Sequence, residues 1–104
     1  NEFAETKAMR DAYWSRGKAL VEGLKASNRV KARMPEGGMF VMVDVRQTGM
    51  SGEDFARKLL AEQDVVTMPG ESFGAGGAGH LRVALTVDEA TMAEAARRIV
   101  KVAE

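Results

Sequence analysis

The chain has 104 residues, 15 of them Lys or Arg and 15 Asp or Glu, so its formal net charge is zero with the single histidine neutral. That length allows one domain with a modest core, burying roughly 65% of the surface its unfolded chain exposes, and the cancelled charge excludes a global field steering nucleic acid or an anionic membrane toward it. The absence of cysteine excludes disulfides, thiolate metal sites and cysteine nucleophiles, and is compatible with a reducing, cytoplasmic setting. No apolar run approaches the roughly 18 residues of a membrane helix, and no signal-type segment opens the chain. The first residue is Asn1 rather than Met, from which a fragment or a processed product is expected.

From Glu5 to Lys25 the apolar positions Met9, Tyr13, Leu20 and Leu24 recur at helical steps, with Gly17 on the same face and Val21 beside Leu20, which predicts an amphipathic helix. Lys7, Arg10, Asp11, Arg16, Lys18 and Glu22 make its solvated face. Ala26-Ser27-Asn28 stops it, and Val30 to Arg33 suits a short edge strand. Met34-Pro35-Glu36-Gly37-Gly38 is turn chemistry. Met39 to Val45 is nearly continuous apolar residues apart from Asp44, which predicts a strand at the centre of the sheet, covered on both faces. Gln47 to Gly52 is loop, and Ser51 with Asp54 three residues on forms an N-cap pattern for a helix whose buried stripe is Phe55, Leu59 and Leu60.

Val65 to Met68 reads as a strand ended by Pro69-Gly70, far enough from Val45 for a right-handed crossover between parallel strands. A glycine-laden loop follows and leads into a strand from His80 to Thr86. There Leu81, Val83 and Leu85 alternate with Arg82, Ala84 and Thr86, so that one face is core and the other carries the arginine. Thr86 and Glu89 form a capping box for a last helix whose inner face is Met92, Ala96, Ile99 and Ala103. The whole predicts an α+β two-layer sandwich, a small mixed β-sheet with helices packed against it, in one domain spanning residues 1–104.

Gly74, Gly76 and Gly79 satisfy G-x-G-x-x-G, but they run into a strand, whereas a dinucleotide fingerprint joins a strand to a helix N-terminus. They are read as a tightly turned connection. His80, with no second histidine and no cysteine, is read as structural or solvent-exposed rather than metal-ligating, and no serine, histidine and carboxylate arrangement suggests a triad. The methionines are core filler, with Met9, Met39 and Met92 at inferred buried positions. Tyr13 and Trp14 are adjacent on one helix and face different ways, one into the core and one into a contact. Arg82 projects a planar guanidinium from a rigid strand beside the small Ala84, which suits bidentate recognition of a carboxylate; a surface ion pair is the competing reading.

The order of motifs resembles the C-terminal small domain of class I/II pyridoxal-phosphate-dependent aminotransferases. The residues that carry the resemblance are Pro35-Glu36-Gly37-Gly38-Met39-Phe40, Phe55-Ala56 and Leu59-Leu60, Val65 through Gly74, Leu81-Arg82-Val83, and Ala96-Arg97-Arg98-Ile99. Within that family the Gly37 to Val45 run most resembles the arginine-pyruvate transaminases. The resemblance implies that Arg82 clamps the substrate α-carboxylate and that Phe40 lies near the substrate entrance or in the core. It further implies pyridoxal 5'-phosphate as cofactor, an amino acid and a 2-oxo acid as substrates, and a homodimeric parent enzyme, with no nucleic acid or membrane partner. The resemblance implies that the Schiff-base lysine and the aspartate facing the pyridine nitrogen come from a large domain before Asn1; Lys7, Lys18, Lys25, Lys31, Lys58 and Lys101 mostly occupy polar positions, where nothing is expected to desolvate an amine. The chain alone is therefore expected to be catalytically inactive. Two other readings remain: a stand-alone amino-acid-binding regulatory module, or the small domain of a related pyridoxal-phosphate lyase or decarboxylase.

Overall fold

Alternation along two strands decides how the molecule is layered. In β2, Phe40–Asp44, Val41 and Val43 are buried while Phe40, Met42 and Asp44 are open to solvent in varying degree. The pattern repeats in β4, His80–Ala84, where Leu81 and Val83 are buried and His80, Arg82 and Ala84 are half-exposed. Successive side chains of a strand point to opposite faces, so one face of the sheet carries the core and, among the described residues, no helix packs on the other. The computed structural model describes residues 2–32, 40–85 and 87–104. Its remaining elements are helix α1, Glu2–Leu24; strand β1, Lys31–Ala32; helix α2, Gly52–Gln63; strand β3, Met68–Pro69; and helix α3, Glu89–Ala103.

The sheet order is β1-β2-β4-β3 and each recorded pairing is antiparallel. The expected mixed sheet is corrected here. Strands β2 and β3 do run in the same direction, as a crossover through α2 requires, but β4 lies between them and pairs with both. The two-layer α+β arrangement and the central place of β2 stand as expected. Coverage of β2 on both faces does not, because the apolar residues on its outer face, Phe40 and Met42, are not buried by any helix. The strand expected over Val65 to Met68 is confined to Met68–Pro69.

All three helices contribute to a single cluster on the inner face. Leu20 and Leu24 from α1, Phe55 and Leu59 from α2, and Met92, Ala96 and Ile99 from α3 close over Val41, Val43, Leu81 and Val83. Fully burying side chains of this size stabilises by about 1.5–3 kcal/mol each. Gly23 sets the α1–α3 approach, since a Cβ at that position would stand 2.6 Å from the Cβ of Ala96. Two inferred core positions are corrected, since Met9 is 54% exposed and Leu60 is 48% exposed; a third, Met39, lies outside the described residues. Met9 belongs to the first half of α1, where residues 7–11 are all exposed. Tyr13 packs against the core while Trp14 is exposed, which is the division expected of neighbours on a helix.

Helix caps follow local chemistry. The Ser51 side chain accepts a hydrogen bond from the Asp54 N–H at 3.0 Å, as the sequence pattern predicts. For α3 the cap is Asp88, whose Oδ1 accepts from Thr91 N–H at 2.8 Å. That displaces the expected capping box, whose Thr86 lies outside the described residues, as does the turn expected over residues 34–38.

Candidate functional site

The open face of the sheet gathers side chains from both central strands. Antiparallel register sets Met42 directly opposite Arg82, Phe40 opposite Ala84 and Asp44 opposite His80, while Met68 of β3 flanks Arg82 on its other side. Phe40 and Arg82 are thus diagonal neighbours on one face, within reach of long and aromatic side chains. The Arg82 guanidinium carbon stands 3.5 Å from the centroid of the Phe40 ring. A cation held over an aromatic face is drawn by the ring quadrupole and loses rotamer freedom. The two candidate residues named from the sequence are therefore brought together. Ala84, one step along β4, adds no bulk beside them.

The glycine loop that feeds β4 is clasped rather than slack. It contains two short 3-10 turns, Gly70–Phe73 and Ala75–Gly77. Glu71 on the first turn accepts two hydrogen bonds at Oε2, each of 2.9 Å: one from Gly52 N–H at the start of α2 and one from Gly79 N–H just before β4. The Gly79 N–H, opposed by desolvation and assisted by neighbouring backbone N–H groups including that of Gly52, holds the Glu71 carboxyl below its ordinary range. Gly79 carries φ +73°, left-handed backbone that favours glycine, and its carbonyl accepts from Val45 N–H at 2.9 Å. Gly70 and Gly77 approach so closely that a Cβ on either would overlap the carbonyl oxygen of the other. The reading of this loop as a tightly turned connection agrees with the Gly70–Gly77 approach and with the left-handed φ of Gly74 and Gly79, and the loop runs into strand β4 rather than an α-helix.

Beside this turn, Asp44 and Arg46 form a bidentate pair, with Arg46 Nε donating to Oδ1 at 3.0 Å and Nη2 to Oδ2 at 2.7 Å, and the Arg46 backbone N–H adding a bond of 2.9 Å to Oδ1. The side-chain bond from Arg46 is the largest influence holding the Asp44 carboxyl at about 2, against an ordinary 3.8. The Arg46 stem lies where a Cβ on Gly79 would be. His80 Nδ1 sits 2.8 Å from the carbonyl of Ala78; a carbonyl only accepts, so Nδ1 carries the proton. Sequence reasoning did not find Glu71 or the Asp44–Arg46 pair. The visible signals were a carboxylate directly after Pro69-Gly70 and a lone aspartate interrupting an apolar run.

The six lysines are all exposed. None lies in an enclosed apolar site of the kind that holds a Schiff-base lysine, so the residues of this chain do not fit the covalent anchoring of pyridoxal phosphate, and no step through that group is assigned to them. Among the described residues, no cluster of His, Cys, Asp and Glu could hold a metal ion, and no helix is long and apolar enough to cross a membrane.

Comparison with known proteins agrees with this architecture. The arginine-pyruvate transaminase AruH of Pseudomonas aeruginosa is 44% identical over 95 residues, covering 91% of this chain and 24% of that protein. The aromatic aminotransferase of Pyrococcus horikoshii OT3 superposes with a TM-score of 0.88 at 26% identity, covering 96% of this chain and 26% of its own. The aspartate aminotransferase of Thermus thermophilus with maleate gives 0.81 at 31% identity, covering 95% and 25%. The chain thus spans about a quarter of the length of the relatives it matches. The family described as aminotransferase class I and II matches residues 1–99. With that match over nearly the whole sequence, and with the same fold in its relatives, the chain belongs to the aminotransferase class I and II family.

Proposed function

We propose that this chain is the substrate-recognition domain of a pyridoxal-phosphate-dependent amino-acid aminotransferase, in which Arg82 binds the α-carboxylate of the amino acid and of the 2-oxo acid. The observation that carries this reading is the stacked Arg82–Phe40 pair on the sheet face opposite the core. A planar cation pre-oriented on a rigid strand offers two parallel N–H donors to a carboxylate with little rotamer entropy left to lose.

Relatives named for arginine, aromatic and aspartate substrates share this domain, and the group common to those substrates is the α-carboxylate. The Thermus thermophilus relative was solved with maleate, a dicarboxylate. When bound, pyridoxal phosphate supplies the electron sink for moving the amino group. The part assigned to this chain is orientation: Arg82 fixes one end of the substrate so that its reacting carbon is presented in a constant position, converting a loose encounter into a near-attack geometry.

Substituting Arg82→Lys in the full-length aminotransferase tests the reading. Lysine keeps the charge but loses the paired donors, and charge-assisted hydrogen bonds contribute about 1.5–3 kcal/mol, so kcat/KM for the amino acid should fall about tenfold or more with cofactor content unchanged. Unaltered kinetics would remove the carboxylate assignment.

A further inference from the structure

We infer that Glu71 is a positioning residue for Arg82, acting through Gly79 to fix the direction in which the chain enters β4. The inference rests on the proposed role of Arg82 and deepens it. Glu71 touches neither Arg82 nor the open face through any hydrogen bond described above. Its leverage is geometric, because Oε2 accepts from both Gly52 N–H and Gly79 N–H at 2.9 Å. One carboxylate oxygen thereby ties the 3-10 turn Gly70–Phe73, the first residue of α2 and the residue before β4 to a single point.

Gly79 is held from both sides, its N–H by Glu71 and its C=O by Val45 N–H. Arg82 follows three residues later, so any rotation at Gly79 is transmitted along a five-residue strand to the guanidinium. Without the carboxylate, two buried or half-buried N–H groups lose their acceptor, and Gly79, whose left-handed φ is accessible among several alternatives to a glycine, is free to turn. Ionisation matters because a charged acceptor is roughly twice as strong as a neutral one. It is also favoured where the carboxylate sits, at the positive end of α2, and the Gly79 N–H helps keep the carboxyl ionised. The Gly70–Gly77 backbone contact stiffens the loop and Gly70 also packs against the His80 carbonyl, while Glu71 supplies the hydrogen bond that fixes the Gly79 N–H.

The test is a double-mutant cycle in the full-length aminotransferase, with Glu71→Ala, Arg82→Ala and the pair, reading amino-acid KM, kcat, the inhibition constant of maleate, cofactor content and melting temperature. Misplacing a binding group by about 1 Å can cost up to about 100-fold. Glu71→Ala should therefore raise both KM and the maleate constant by a common factor of about 10 or more, with cofactor content unchanged, and should add nothing in the Arg82→Ala background. Glu71→Gln keeps one neutral acceptor oxygen and should give a smaller rise of the same kind; it decides the question if the alanine variant fails to fold. A lower melting temperature with native KM, or a KM effect that persists undiminished without Arg82, would reduce Glu71 to a structural clasp and overturn the inference. If Arg82→Ala alone leaves KM and the maleate constant unchanged, the carboxylate reading itself falls and takes the inference with it.

Discussion

Arg82 and Phe40 meet across the β2–β4 ladder, guanidinium over ring at 3.5 Å, because antiparallel register makes them diagonal neighbours on the one sheet face that no helix covers. A cation–π contact of this type contributes about 0.5–2 kcal/mol, and under the proposed role of Arg82 it would hold the guanidinium plane in one orientation for the carboxylate. Phe40→Leu in the full-length enzyme should raise the KM for the amino acid by about 3- to 30-fold, while Phe40→Tyr, which keeps the ring, should stay near native. Steady-state kinetics with melting temperatures separate this from a packing defect; equal KM values for the leucine and tyrosine variants would remove the aromatic platform.

Two neighbouring glycines in the loop should respond oppositely to one added methyl. A Cβ on Gly77 would overlap the carbonyl oxygen of Gly70, whereas one on Gly76 meets nothing within 4 Å. Gly77→Ala should destabilise by about 1–3 kcal/mol through overpacking against backbone that cannot yield, and Gly76→Ala should lie within about 0.5 kcal/mol of native. Denaturant unfolding of the two variants provides the comparison. Similar midpoints would mean that the loop is not packed as described.

Acid should reveal the Asp44–Arg46 pair. Folding lowers the Asp44 carboxyl from 3.8 to about 2, so the folded state binds its proton less readily than the unfolded state. The pair's stabilisation is fully present above pH 3.8 and is lost as pH falls toward about 2. Arg46 is 66% exposed although Asp44 is only 20% exposed, and solvent screening reduces the contribution to the order of 1 kcal/mol. Stability measured from pH 5 to pH 2 should fall less steeply in Asp44→Asn than in the native chain. Parallel slopes would show that the pair adds nothing to folding.

Asp88 should behave as the cap of α3. Removing its side chain leaves the Thr91 N–H without its acceptor, and Asp88→Ala should cost about 1 kcal/mol, with Asp88→Asn or Asp88→Ser recovering most of it. Thermal unfolding of the three variants decides the assignment, because only cap-competent side chains should recover the loss.

The 104-residue chain by itself should take up no stoichiometric, borohydride-trappable pyridoxal phosphate, because all six lysines are exposed on the surface and none lies in an enclosed site that would select it over the others. Absorbance spectra and mass measurement after borohydride treatment are the readouts. A single trapped site at stoichiometry would contradict this.

Local chemistry made much of the molecule legible in advance. Ser51 capping α2, the alternation of Leu81, Val83 and Leu85 with Arg82 and Ala84, the helical spacing of Met92, Ala96 and Ile99, and the motif order that carries the family all depend on residues close in sequence. Short-range periodicity and turn chemistry encode such features directly. Where the reading failed, the missing information was long-range. Met42 and Leu60 are apolar yet exposed, because hydrophobicity alone does not say whether a second layer covers a strand or where the edge of a helix stripe falls.

The amino-acid sequence by itself thus determined the α+β fold class and the family, and singled out Arg82 as the candidate for carboxylate recognition. Tertiary structure decided what holds that arginine. The insertion of β4 between two codirectional strands sets the register that lays Arg82 over Phe40. The clasp from Glu71 to Gly52 and Gly79 spans 19 and 8 residues. Both depend on how separated backbone segments meet in space, and a carboxylate's choice among distant N–H groups leaves no periodic trace in the chain.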